Sequence, residues 1–285
     1  MRPASIIFLV IGLLFVITGS VICGRAERLA ADDGYNLLES ATDENGNSIK
    51  THEISKQSED DPEVLKLAVK LDGIDLEIIG GESRSYVEIY NKPAIFNCYI
   101  SNKVMTVSNR FDLAELVQSS GSNFEFNGIR KYMDFSVFQT KQKKVIVHLC
   151  ESDPLKQIEL DVSDSHVELR GIQQNIDILV TGSNANITMQ DIRTESIISV
   201  EVNGGVLQMT DLLFSEMDLK AEGCDCDLNE KGYGALYTFG YVVSCAESNL
   251  TVNGVPIFEP TYTYASTMEH RFSATVKGGS MSLEY

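Results

Sequence analysis

Residues 178–187 read ILVTGSNANI, and three further stretches share the pattern: LDVSDSHVEL at 160–169, LKAEGCDCDL at 219–228 and ATVKGGSMSL at 274–283. With the third residue of each taken as an anchor, the anchors are Val162, Val180, Ala221 and Val276. Leu71, Ile100, Val202 and Cys245 fit the same frame. In all eight copies the residues four and two before the anchor are apolar, as are the anchor itself and those five and seven after it. Apolar residues at steps of two mark a strand with one buried face. The change from even to odd spacing marks a corner, occupied by pairs such as Gly182-Ser183, Gly204-Gly205 and Gly278-Gly279, which suit a bend. Anchors in the best-matched run lie 18, 22, 19 and 24 residues apart, so each copy reads as one turn of a coil. Such a turn buries its apolar face only by stacking on its neighbours. The expected fold is all-β: a parallel β-solenoid (β-helix-like) domain over residues 65–285.

Working outward, two stretches break the repeat. Residues 111–149 form an insert containing FEF, YMDFSVF and KQKKVIV, which reads as hairpin-like strands. The segment VNGVPIFEPTYTYAS at 252–266 reads as a loop or short hairpin. Coverings of this kind are expected where the end of a stack exposes strand edges. Ahead of the repeats, residues 32–64 hold ten Asp and Glu against Lys50 and Lys56, the composition of a solvated acidic linker.

Residues 6–23, IIFLVIGLLFVITGSVIC, carry no charge over eighteen positions, the length of one N-terminal transmembrane helix. A cleaved signal peptide is the rival reading, but its apolar core would be unusually long. Residues 1–31 are therefore expected to be an uncleaved, single-pass membrane anchor. Arg2 precedes the apolar stretch whereas Arg25 and Arg28 follow it, so charge bias does not set the orientation.

A short membrane segment followed by loose repeats of the VTGSNANI, AEGCDCDL and VKGGSMSL kind resembles the DUF4097 family, a group of adhesin-like β-strand-repeat proteins of the bacterial cell envelope. The resemblance covers residues 65–285. It implies an extracytoplasmic, envelope-associated and non-enzymatic role, and it brings no catalytic residues.

Charge narrows the function further. The chain has 285 residues, with 23 Lys and Arg against 41 Asp and Glu, a net charge of −18. That balance argues against nucleic acid, since each phosphate contact wants a cation, and against docking on an anionic lipid surface. Six cysteines in a chain this long do not make a disulfide scaffold. The four histidines, His52, His148, His166 and His270, match no zinc spacing. His148 and Cys150 share a strand face, and Ser163, Asp164, Ser165 and His166 adjoin at a corner. The first pair could be half of a metal site, but an exposed strand residue beside an inert thiol explains it; the second group lacks the context of a strained nucleophile. Glu159 with Asp177, and Glu168 with Asp227, fall in common columns of the coil frame. Stacked carboxylates suit calcium or a carbohydrate-active site, but a solvated acidic face explains them without either. Cys150 and Cys224 are expected to point outward, where they could pair.

No catalytic, cofactor-binding or metal-binding residue is therefore assigned, and no cofactor. The basic residues of the insert, Arg130, Lys131, Lys141, Lys143 and Lys144, stand among aromatics and suit an anionic polymer. The sequence thus points to a membrane-anchored, envelope-facing binding or scaffold protein. Its expected partners are an envelope glycan, an anionic polymer or a membrane protein. An accessory or sensor protein of an envelope-stress system and a β-helix lyase or hydrolase are the alternatives.

Overall fold

The computed structural model describes residues 39–44, 46–54, 63–91, 96–110, 143–230, 239–265 and 268–285. Eighteen strands make up this part. They are β1 (Glu39–Thr42), β2 (Ser48–Glu53), β3 (Lys66–Asp72), β4 (Asp75–Glu82), β5 (Tyr86–Tyr90) and β6 (Asn97–Ser101). Next come β7 (Val104–Ser108), β8 (Lys144–Cys150), β9 (Gln157–Ser163), β10 (His166–Arg170), β11 (Asp177–Arg193) and β12 (Ile197–Leu213). Last are β13 (Glu216–Asn229), β14 (Phe239–Ala246), β15 (Asn249–Val252), β16 (Val255–Ile257), β17 (Thr261–Tyr264) and β18 (His270–Glu284).

The expected parallel β-solenoid is not what forms: the sheet is mixed. Parallel pairing links β3 to β9, β9 to β11, β11 to β12, β12 to β13 and β13 to β18. Both ends turn antiparallel. At one, β8 pairs β5, β5 pairs β2 and β2 pairs β1, while β6 pairs β7. At the other, β14 pairs β17 and β15 pairs β16. The order also departs from the chain, because β18 lies between β13 on one side and β14 with β15 on the other. A period of two tells which face is buried but not the direction of the neighbouring strand. For the same reason the Ile100 copy is no turn of a coil. Its two halves are the antiparallel β6 and β7, joined through Asn102 and Lys103 at φ 50° and 65°.

One copy is displaced along its strand. The ladder aligns Val162 with Gly182, Gly182 with Val202 and Val202 with Ala221, so the anchor of β11 is Gly182 rather than Val180. True anchors then follow at steps of 20, 20 and 19. Sliding the alternating pattern by two residues keeps the flanking positions apolar, at Ile178, Val180, Ile187 and Met189, and only the anchor becomes glycine, so the apolar count favours the displaced frame. Glycine leaves room there: a Cβ on Gly182 would lie 2.8 Å from Ile187 Cδ1 and 3.2 Å from Val202 Cγ1, so those side-chain ends would have to shift. In the corrected frame every corner has a left-handed residue two after its anchor: Gly73, Asp164, Asn184, Gly204, Gly223, Glu247 and Gly278, at φ 50–72°. Glycine takes that conformation freely and Asn or Asp with little cost.

The inward columns merge into one core. Among the forty positions of the eight copies, Cys98, Ile100 and Cys245 are half-buried and the rest are buried. Two strands, β1 and β2, form within the stretch read as linker, and β8 lies at the end of the insert. The expected transmembrane helix over 6–23 lies outside the described residues, and no helix among those described is long and apolar enough to cross a membrane.

Candidate binding surfaces

Of the basic residues singled out, Arg130, Lys131 and Lys141 lie outside the described residues. Lys143 directly precedes β8 and Lys144 opens it, both half-buried. Lys144 is not free for a ligand. Its Nζ donates to Glu77 Oε2 at 2.5 Å, while Arg170 Nη2 donates to Glu77 Oε1 at 2.6 Å. Burial alone would raise the Glu77 carboxyl; the hydrogen bonds and charges of Lys144 and Arg170 outweigh it and hold the pKa below its ordinary value. Stability from this group is therefore present above the ordinary carboxylate range and lost as pH falls below it. Lys144→Ala is expected to destabilise the fold by about 1–2 kcal/mol, since Glu77 would keep only Arg170. Lys143→Ala serves as the control in urea denaturation at neutral pH.

Other candidates resolve into local structure. His148 stacks on Tyr86 with ring centroids 4.2 Å apart and places Nδ1 3.3 Å from Glu82. At the corner, Ser163 Oγ donates to Asp72 Oδ1 at 2.7 Å and Ser165 Oγ to the Ser163 carbonyl, so the hydroxyls serve the bend. Glu159 stands opposite Leu179, and Asp177 opposite Gln157, because of the two-residue slide in β11. Glu168 and Asp227 share a row but are separated in it by Thr188 and Gln208. Cys150 and Cys224 are both free thiols. Cys224 is buried, correcting the outward expectation, and a hydrogen bond with Cys226 lowers its pKa.

The feature that stands out was read from sequence only as a loop or hairpin. Strands β14 to β17 cap one end of the stack. Val242, Val255, Phe258, Tyr264 and Met268 are all exposed there, Phe258 at 92%. Elsewhere among the described residues only Ile197 and Val206 are large, apolar and comparably exposed. Antiparallel pairing sets Tyr264 opposite Tyr241 and Tyr262 opposite Val243. Tyr285 stacks on Tyr241 at 4.7 Å and lies 5.1 Å from Tyr264, and its hydroxyl meets that of Tyr262 at 2.5 Å. Burial pushes the Tyr241 phenol well above the ordinary tyrosine range, and burial with the Tyr262 bond does the same to Tyr285. Both stay neutral hydroxyls. The cap is thus an aromatic surface of low charge, and TYTY alternation after Pro260 was its trace in the sequence.

No family model matches the chain, and no curated protein matches it. The DUF4097 resemblance therefore rests on the repeats alone. Among solved structures the chain is similar to a "putative cell adhesion protein" from Clostridium sporogenes, at 11% identity and a TM-score of 0.46, covering 84% of this chain and 99% of that one. It is also similar to a "putative adhesin" from Bacteroides fragilis, at 14% identity and TM-score 0.39, covering 83% and 95%. Another "putative adhesin", from Parabacteroides merdae, gives 13%, 0.33, 86% and 98%. At these values the likeness leaves function to the chain's own surface.

Proposed function

We propose that the chain is a non-enzymatic, adhesin-like binding protein of the cell envelope, tethered through its apolar N-terminal stretch and gripping its partner with the cap of β14 to β17. The supporting observation is position. Strands β1 and β2 join the stack through β5 and β8, whereas the cap joins it through β18 at the opposite end. A tether preceding β1 therefore leaves the exposed aromatic surface at the far tip. Large exposed apolar groups gathered in one place mark a contact surface far better than the same groups scattered.

Protease treatment of intact cells is expected to release the β domain; cleavage only after lysis would reject the outward placement. The released domain should sediment with isolated envelopes, and Phe258→Ser with Tyr264→Ser should weaken that binding at least ~10-fold. A parallel Lys141→Ala, Lys143→Ala variant tests the basic stretch as an anionic-polymer contact. Loss of binding in that variant alone would move the grip there and overturn the cap.

A further inference from the structure

The cap also exposes an unpaired strand edge, and its geometry can be worked out from the pairing. Cys245 N donates to the Pro260 carbonyl at 2.9 Å, in register with Val243 opposite Tyr262 and Tyr241 opposite Tyr264. In an antiparallel ladder, hydrogen-bonded and non-hydrogen-bonded pairs alternate. Tyr262 and Tyr264 therefore spend their backbone groups on β14, while the N–H and C=O of Thr261 and Thr263 point away from it. Among the described residues the one ladder of β17 is that with β14.

The neighbouring edge is blocked. Strands β15 and β16 are joined by a two-residue turn, Asn253-Gly254 at φ 48° and 75°. Such a turn makes Val252 and Val255 the hydrogen-bonded pair and puts Pro256, opposite Thr251, in the outward-facing position. Proline has no N–H to offer there, a common protection of edges. Strand β17 has no such device: Thr261–Tyr264 carries neither charge nor proline.

We infer that the free edge of β17 pairs antiparallel with β17 of a second copy, Thr261 of each opposite Thr263 of the other. This rests on the reading of the cap as the contact surface and names its partner. A strand related to itself by a two-fold axis across it is antiparallel, and centring on Tyr262 uses both outward-facing residues of each copy. Charge selects the occupant. Copies at net −18 repel wherever their acidic faces meet, yet residues 249–265 carry a single charge, Glu259. Phe258, beside the strand, supplies apolar area that pairing can cover.

The test is sedimentation equilibrium of the full chain in a neutral detergent. We expect a monomer–dimer equilibrium with Kd on the order of 10–100 μM, because four edge hydrogen bonds make a small interface. Added salt should tighten it by screening the repulsion. Thr263→Pro, which deletes an outward N–H, and Phe258→Glu, at a site open to solvent, should each weaken it at least ~10-fold. Phe258→Glu keeps the test sound if Thr263→Pro disturbs folding. A wild-type chain that stays monomeric at about 1 mM, or a dimer indifferent to both changes, would overturn the pairing. Envelope binding lost in the Phe258→Ser, Tyr264→Ser variant of a monomeric chain would leave the cap as a contact surface and reject only self-pairing.

Discussion

Glu230→Gln is expected to stabilise the protein by several kcal/mol at pH 8.5 and by little at pH 4.5. Glu230 is fully buried directly after β13, and only one carboxylate oxygen is engaged: Oε2 accepts Leu212 N–H at 3.2 Å. Strand β13 ends at Asn229, before it reaches the row of Leu212, so the side chain replaces a ladder partner that the chain does not supply. Oε1 has no partner among the described residues. Burial, opposed by the Leu212 bond and reinforced by Asp211, pushes the carboxyl up from 4.5 to about 9. In the unfolded chain the same group ionises near 4.5. Its folded pKa being the higher one, stability is full below 4.5 and is lost as pH rises towards 9. At 1.36 kcal/mol per unit, the loss is bounded at about 6 kcal/mol. Glutamine keeps the acceptor for Leu212 and cannot ionise. Urea denaturation of both proteins at pH 4.5 and 8.5 isolates Glu230, because every other ionisable group is common to the two. Equal pH slopes would refute the account.

Glu230 shows what the sequence conceals. The alternation in 178–187 identifies strands and a buried face, because a two-residue period leaves a one-sided apolar row whatever the neighbours are. Strand direction and order do not follow from it. Nothing local distinguishes the hairpin at Ile100 from a coil corner, since both join two alternating arms through a short polar bend. Likewise no local signal tells that β18 inserts between β13 and β14, a choice made by packing between segments 55 residues apart in register. Candidate sites were hidden for related reasons. Lys144 reads as a free cation until Glu77, 67 positions away, is seen beside it. Glu159 and Asp177 share a column only in a frame displaced by two. Phe258 and the TYTY strand were legible as apolar residues in a loop, but their exposure depends on what the end of the stack leaves uncovered.

The corners give the sharpest contrast between two glycine substitutions. Gly205→Ala should cost at least about 4 kcal/mol, a large fraction of the stability of an ordinary domain. Gly223→Ala should cost about 1 kcal/mol. Both glycines are left-handed, at φ 87° and 61°, so conformational strain alone would place them close together. Space separates them. A Cβ on Gly205 would sit 2.1 Å from the Ala185 carbonyl oxygen, backbone of the neighbouring turn that is itself held in the ladder. A Cβ on Gly223 would meet nothing within 4 Å. Asp164 and Asn184 occupy positions equivalent to Gly223 at φ 50° and 51°, direct evidence that this place tolerates a side chain. Gly279 repeats the Gly205 case, its Cβ position being 2.2 Å from the Cys224 carbonyl. Gly279→Ala should therefore behave like Gly205→Ala although it lies two turns further along the stack. Thermal and urea melts of the three variants decide the matter. If Gly205→Ala proves no more costly than Gly223→Ala, the turns are not in backbone contact at that corner and the corrected register of β11 against β12 is wrong.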